Sequence, residues 1–467
     1  METKRRDFLK GAASMGAAAM AAGCMSERFS RVSGGPMLGF AVPPMKKIRV
    51  GFIGIGERGT AAVRRVTLFP GVEAAALCDL RPEAVDQARQ WLTENKKPGA
   101  MREYKGKDDS WKGVCGDPDV DVVYIATPAD LHVRMELGAM NAGKHVLCEV
   151  PGAHTVDECW QIIETCEKTR RHCMMLENCC YGETEMLAFN LCRQGLLGEL
   201  THGECGYIHN LVWRRLEDSF RNRLHRESLG TRMGNQYPTH GLGPVCQYMG
   251  INRGDRLDYL VSMSSNQAAM VAYARENFPE GSWQRRIKPE AGDMNTTLIK
   301  TAVGRTIMMQ YDCSTPRPYS RLNLIQGSKG IFADYPYRVG FTPKSGAHCD
   351  FFQAKKADEI REAYKHPLWK KAGEIAKKVG GHGGMDFLMD LRWVYCLQNG
   401  LPLDMSVYDL ATWSAICELS EKSDRGRGRA ECIPDFTRGA WKTDVPLGIV
   451  DVDLEKMGLR TDAVTRR

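Results

Sequence analysis

The sequence of 467 residues contains no Cys-x-x-Cys pair, no His-Glu-x-x-His and no comparable spacing of metal ligands, so no metal is expected. It has no dense basic run interleaved with aromatics, which leaves nucleic-acid binding unsupported despite a formal charge of +7. The weakly apolar stretch near the N-terminus is too short to span a bilayer as a helix. No internal repeat is visible. With 43% apolar and 26% charged residues, the composition is that of a globular chain long enough for two domains.

Cysteine, by contrast, is plentiful. Seventeen of them invite a disulfide framework. Against that, Cys159, Cys166 and Cys173 recur every seven residues and would share one face of a predicted helix. Cys78, Cys148 and Cys246 lie inside apolar runs. Buried thiols acting as small hydrophobes are the better reading.

Residues 1–23 read as an address, not as fold. Lys4-Arg5-Arg6-Asp7-Phe8-Leu9-Lys10 has the twin-arginine form and precedes a Gly/Ala/Met segment. Ala21-Ala22-Gly23-Cys24 resembles a lipoprotein cleavage box, with Cys24 as the lipidated N-terminus and residues 24–45 as a tether. Loss of residues 1–23 removes four cations and two acids, taking the charge from +7 to +5. The expectation is export in the folded state to the periplasm or cell envelope, with membrane attachment only through Cys24.

The stretch Ile48 to Gly59 organises the remainder of the chain. A β-branched apolar run enters Gly54, Gly56 and Gly59, and Thr60 to Leu68 reads as a helix. This is a GxGxxG turn in its strand-to-helix setting, with Glu57 and Arg58 between its second and third glycines. Val72 to Cys78 is a second strand ending on Asp79, at the ~20-residue distance where a carboxylate meets an adenosine ribose. That acid favours NAD over NADP, with Arg81 as a partial offset.

Strands and helices then alternate. Asp119 to Ala126 ends at Thr127-Pro128, and Leu131-His132 opens a helix. Lys144 to Pro151 carries Glu149-Val150-Pro151, and Cys173 to Asn178 closes the series. A doubly wound parallel sheet over residues 46–178 is predicted, with Thr127, Pro128, Glu149 and Asn178 lining one crevice at its carboxyl ends. Residues 179–450 read as an α+β domain with an open, mostly antiparallel sheet. Its strands are Thr201 to Leu211, Asp258 to Ser264, Thr296 to Val303, Thr306 to Asp312 and Arg321 to Gln326. A charged helical stretch runs from Asp350 to Val379, and Met385 to Leu397 and Tyr408 to Lys422 are further helices. Residues 451–467 form a polar tail.

This layout resembles the glucose-fructose oxidoreductase and inositol dehydrogenase superfamily. The corresponding triplet there usually reads Glu-Lys-Pro, the lysine assisting proton transfer, whereas this chain has Val150. Glu177-Asn178-Cys179-Cys180-Tyr181-Gly182, Asn235 to Pro244 and Tyr259 to Ser265 narrow the likeness to glycoside hydrolase family 109, exported NAD-dependent α-N-acetylgalactosaminidases. The resemblance implies cofactor contacts at Gly54, Gly56, Glu57, Arg58, Gly59, Asp79, Thr127, Pro128, Leu131, His132, Glu149, Val150 and Asn178. It implies a sugar site at Tyr207, Arg232, Tyr237, Pro238, Thr239, His240 and Tyr319, with His240, Tyr237 and Tyr319 catalytic. The implied substrate is a glycan ending in α-linked N-acetylgalactosamine, and the open sheet is a route to a homo-oligomer.

Each residue also has a plainer reading. Tyr237 could pack before its proline, His240 could cap a helix, Glu149 could cap a turn, and Tyr181 and Tyr207 could be core tyrosines. Arg214, Arg215, Arg221, Arg223 and Arg226 read as a solvated face. The implied chemistry is an NAD-dependent exception to the two-carboxylate glycosidase scheme. Oxidation at C3 of the sugar acidifies C2, the C1 oxygen leaves, water adds at C1, and C3 is reduced again. A periplasmic NAD(P)-dependent sugar oxidoreductase and a non-catalytic sugar- or nucleotide-binding protein are the alternatives.

Overall fold

The computed structural model describes residues 35–219, 230–343 and 348–459. The twin-arginine segment, Cys24, Arg221, Arg223, Arg226 and residues 460–467 lie outside them, while the described parts of the expected tether and polar tail pack on the core, with Met37, Val452, Met457 and Leu459 buried. β1 (Ile48–Ile53), β2 (Val72–Asp79), β3 (Arg102–Lys105), β4 (Val122–Ile125), β5 (His145–Cys148) and β6 (Cys173–Met175) form one sheet of order β3-β2-β1-β4-β5-β6. Every pairing in it is parallel. The order reverses between β1 and β4, and a crevice forms at the carboxyl ends of the strands there. β4, β5 and β6 are buried throughout, as a sheet covered by helices on both faces requires.

A second sheet contains β7 (Leu200–Ile208), β8 (Leu257–Ser264), β9 (Asn295–Thr301), β10 (Thr306–Asp312), β11 (Leu324–Gly327), β12 (Gly330–Ala333), β13 (Arg338–Phe341) and β14 (Glu431–Cys432). Its order is β13-β12-β11-β7-β10-β9-β8-β14, antiparallel except for the parallel pair β7 and β10. The expected hairpin joins β9 to β10 through Gly304, at φ +96°. The helix Thr239–Met249 packs across β7 so closely that a Cβ on Gly241 would lie 2.5 Å from the Gly206 nitrogen. This contact lets the start of that helix face the crevice of the first sheet.

Some elements depart from the sequence reading. The helix Val156–Thr169 carries Cys159 and Cys166 but ends at left-handed Arg170, so Cys173 belongs to β6. Leu322 and Asn323, at φ +60° and +41°, break the strand expected from Arg321, and only Leu324–Gly327 pairs. β7 stops at Ile208, and Tyr408 to Lys422 divides into the helices Val407–Ser414 and Ile416–Arg425. β3, β12 and β13 were not foreseen; each has only four residues, too few for periodicity to register. Free cysteines among the described residues are buried apart from Cys192 and Cys349, in keeping with thiols that pack as small hydrophobes.

The helix Met385–Asn399 returns to the first domain and packs on the helix Glu57–Val66. Arg65 Nε donates to Asp390 Oδ2 at 2.5 Å, with both side chains nearly sealed from water. Removing one partner of such a pair leaves a buried charge, a loss on the order of 3–5 kcal/mol. No helix of the described residues is long and apolar enough to cross a membrane.

Candidate active site

The glycine turn is shaped for a dinucleotide. Gly54 has φ +85°, and a Cβ there would lie 2.7 Å from the Ala126 carbonyl oxygen. A Cβ on Gly59 would collide with the Gly54 carbonyl oxygen. Gly56 is different: its nearest neighbour would be Arg81 Nη2 at 3.9 Å, so the backbone is open where a pyrophosphate would approach the helix N-terminus. Asp79 Oδ2 accepts the Ile55 N–H at 2.6 Å, and Oδ1 accepts the Arg81 N–H at 2.8 Å. The carboxylate is thereby fixed beside the turn with the Arg81 guanidinium against it at 3.2 Å. These residues fit the adenosine half of NAD.

Across the crevice, Glu149 caps no turn. Its Oε1 accepts Arg58 Nη2 at 2.8 Å and the Tyr124 hydroxyl at 3.3 Å. Burial pushes its carboxyl up while Arg58 pulls it down. Arg58 Nη1 also donates to Asp386 at 2.8 Å, and Asn178 donates to the same carboxylate. Burial opposes ionisation of Asp386, yet His382, Arg58 and Arg65 hold it far below the usual carboxylate range. Arg58 and Asn178 thus build the wall of the crevice through Asp386, a residue the sequence did not single out. Thr127, Pro128, Leu131 and Val150 are half-buried at the strand ends. His132 is not turned to the groove: its Nδ1 and Nε2 each lie 2.9 Å from a carbonyl oxygen, of Pro151 and Thr127, so the ring joins the two loops that bound it.

Arg214 is solvent-exposed, as the reading of a solvated arginine face expects, and from the helix Val212–Leu216 it also bonds Glu57 in the glycine turn. A residue of the second domain therefore reaches across the nucleotide groove.

The sugar-site candidates converge from distant positions. The Tyr207 ring lies 4.7 Å from Tyr237, 5.4 Å from His240 and 6.3 Å from Tyr319, centroid to centroid. His240 meets Tyr237 at 4.9 Å. His209, unpredicted, sits 4.9 Å from Tyr319 and within 3.0 Å of the Tyr207 hydroxyl. Burial raises the phenol pKa of Tyr207 and Tyr237 and pushes that of Tyr319 up to about 12, so all three keep their protons at neutral pH. Arg321 Nη1 donates to the Tyr319 oxygen at 2.7 Å, leaving that phenol's own proton to give. Pro238 and Thr239 are buried beneath the cluster, and Arg232 turns instead to Glu421 at 3.2 Å and the His154 carbonyl at 3.5 Å. Tyr181 is a core residue bonded to Asp404.

Glu177 was missed. It follows β6, is fully buried, and takes His240 Nδ1 at 2.7 and 3.0 Å on its two oxygens. Burial alone would raise its carboxyl, but the imidazole and the Cys179 N–H keep it below its ordinary value. The signal was a charged residue directly after an apolar strand, just before Asn178. Glu177, Cys179 and His240 also place ligand atoms within 4.8 Å of one another, and His240 Nδ1 is hydrogen-bonded to Glu177 there.

Fold and crevice together define an NAD-binding oxidoreductase framework whose second domain presents a histidine and three phenols. Residues 48–177 match the oxidoreductase family with the NAD-binding Rossmann fold, and residues 181–443 match the glycosyl hydrolase 109 C-terminal domain. A glycosyl hydrolase family 109 protein of Shewanella pealeana is 45% identical, covering 96% of this chain and all of its own length. An alpha-N-acetylgalactosaminidase of Shewanella oneidensis is 46% identical over 96% of this chain and 98% of its own. The chain belongs to glycosyl hydrolase family 109 and is an NAD-dependent glycoside hydrolase. Solved structures share the fold at low identity. An NAD binding oxidoreductase from Klebsiella pneumoniae has TM-score 0.64 at 18% identity, over 83% of this chain and 99% of that one. Levoglucosan dehydrogenase with NADH and levoglucosan has TM-score 0.62 at 18%, over 83% and 100%.

Proposed function

We propose that this enzyme releases terminal α-linked N-acetylgalactosamine from glycans. The observation that carries the reading is His240, anchored through Nδ1 on buried Glu177 at 2.7 Å and faced by Tyr207 and Tyr237. The name of the S. oneidensis relative supports the choice of sugar. When bound, NAD supplies reversible oxidation of the sugar's C3 hydroxyl. Carbonyl character at C3 makes the C2 proton acidic enough for an imidazole to remove. On the nitrogen not held by Glu177, His240 takes the C3 hydroxyl proton as C3 is oxidised and passes it to solvent, then takes the C2 proton. Its N–H exchanges with solvent, and it reprotonates C2 from that pool after water has added at C1. Tyr319 donates to the departing C1 oxygen, since Arg321 stabilises its own oxygen as the proton leaves. Val150 supplies no amine for a dehydrogenase-type proton relay, which favours closed cycling over net oxidation. Incubating the purified protein with a chromogenic α-N-acetylgalactosaminide and no added cofactor tests the reading. Release of the chromophore supports it, and inactivity, with activity on a free sugar plus an electron acceptor, would replace it with the oxidoreductase alternative.

We also infer export by the twin-arginine route and lipid attachment at Cys24, from Arg5-Arg6 and the Ala21 to Cys24 box. Replacing Arg5 and Arg6 by lysine should leave the protein in the cytoplasm with nucleotide bound, and unchanged export would reject the assignment. A homo-oligomer through the open sheet is supported by Tyr259, Met263 and Leu298, which stand exposed on β8 and β9.

A further inference from the structure

A cavity of about 390 Å³ opens beside Tyr319. Its wall comprises Glu183, Thr184 and Glu185 at the start of the helix Glu183–Arg193, with Arg321, Trp369 and His382 opposite. Tyr319 is the only sugar-site candidate that lines it; Tyr207, Tyr237 and His240 do not. The cavity is therefore a second compartment, joined to the reacting centre through one phenol. Its volume lies in the ~300–1,000 Å³ range of small-molecule sites.

The charges on that wall are already matched. Glu183 pairs with Lys365 and Lys377, each at 2.9 Å, and Glu185 with Arg321 at 3.0 Å. A cationic ligand would find no unpaired carboxylate there, while a neutral polyhydroxyl ligand would find hydrogen-bonding groups around the edge of an indole. The rim includes His382 and Gly383, from a run of backbone in the left-handed region. Gly380, Gly381, His382, Gly383 and Gly384 all have positive φ, at 86°, 82°, 48°, 72° and 106°. Histidine is strained in that run where glycine is not, and the strain places its Nδ1 3.0 Å from Asp386, at the junction of cavity and crevice wall.

We infer that this cavity is the leaving-group subsite, and that its occupant is the neutral sugar linked through the anomeric oxygen to the terminal residue. The inference rests on the glycosidase reading, with Tyr319 serving the departing oxygen. Because Tyr319 stands in the shared wall, the bond that breaks spans the two compartments.

Thr184→Phe would fill the cavity from its half-buried wall without touching His240 or Glu177. The measurement compares kcat/KM for an α-N-acetylgalactosaminyl disaccharide with that for the α-glycosyl fluoride, whose leaving group is a single atom. The variant should lower the disaccharide-to-fluoride ratio by ~10-fold or more, mainly through KM. An unaltered ratio, whether both activities fall together or neither does, would overturn the subsite. Wild-type protein inactive on both substrates would instead reject the glycosidase reading and this inference with it. Bound NAD and thermal unfolding report whether the variant folds, and Thr184→Leu gives the same test with a smaller addition.

Discussion

At the scale of single residues, the pair formed by Glu177 and His240 sets the chemistry. A buried carboxylate that accepts Nδ1–H fixes the ring so that its other nitrogen is free to act as base. His240→Ala should reduce kcat by ~10²–10⁴, the usual contribution of a general acid–base, with nucleotide retained. Glu177→Gln should lower kcat ~10–100-fold with little effect on KM, as expected when a positioning partner is lost; equal changes in both would mean that Glu177 serves only the fold. Glu136 is a buried acid with another role. Neither of its oxygens receives an N–H or O–H hydrogen bond, and burial, offset only in part by the Cys148 thiol, raises its pKa to about 8 from an ordinary value of 4.5. The unfolded chain ionises it at the lower pH, so its effect on stability is least harmful below pH 4.5. From there stability declines by about 1.4 kcal/mol per pH unit until the folded group also ionises near pH 8. Glu136→Gln should therefore raise Tm at pH 8 and leave it nearly unaltered at pH 4, which thermal melts at the two pH values will check.

Among the elements, local pattern decided what could be read from sequence. β1, the glycine turn and Asp79 were legible because their signals lie within 32 residues of continuous chain, from Ile48 to Asp79. Tyr207, Tyr237 and Tyr319 span 113 residues, and no periodicity links a strand, a helix start and a loop; their grouping came from resemblance alone. The turn at Leu322 and Asn323 hid behind an alternation that resembles a strand, yet it frees Arg321 to reach both Glu185 and Tyr319. The short helix Val212–Leu216 was likewise lost in an arginine-rich stretch, and it delivers Arg214 to Glu57 across the nucleotide groove. Arg214→Ala should speed NAD loss on dialysis only about two- to fivefold, the scale of an exposed ion pair. Retention equal to wild type would show that the pair does not secure the cofactor.

For the whole molecule, the design places a nucleotide crevice in one domain against an aromatic sugar site in the other, with the helix Met385–Asn399 tying them through Arg65 and Asp390. A cofactor restored in every turnover has no need to leave, and the Asp79 carboxylate disfavours the 2′-phosphate of NADP. Nucleotide extracted from the purified protein should accordingly be NAD, and mostly NADP would contradict that. If the open sheet mediates assembly, Met263→Glu should lower the mass measured by light scattering, since Met263 stands exposed on β8. The central claim is that hydrolysis proceeds by oxidation at C3 and loss of the C2 proton. It is tested most directly by running the reaction in heavy water and examining the released sugar by NMR. Deuterium at C2, with none at C3, is the expected result. Released sugar with no label at C2 would mean direct displacement at C1 and would contradict the redox route.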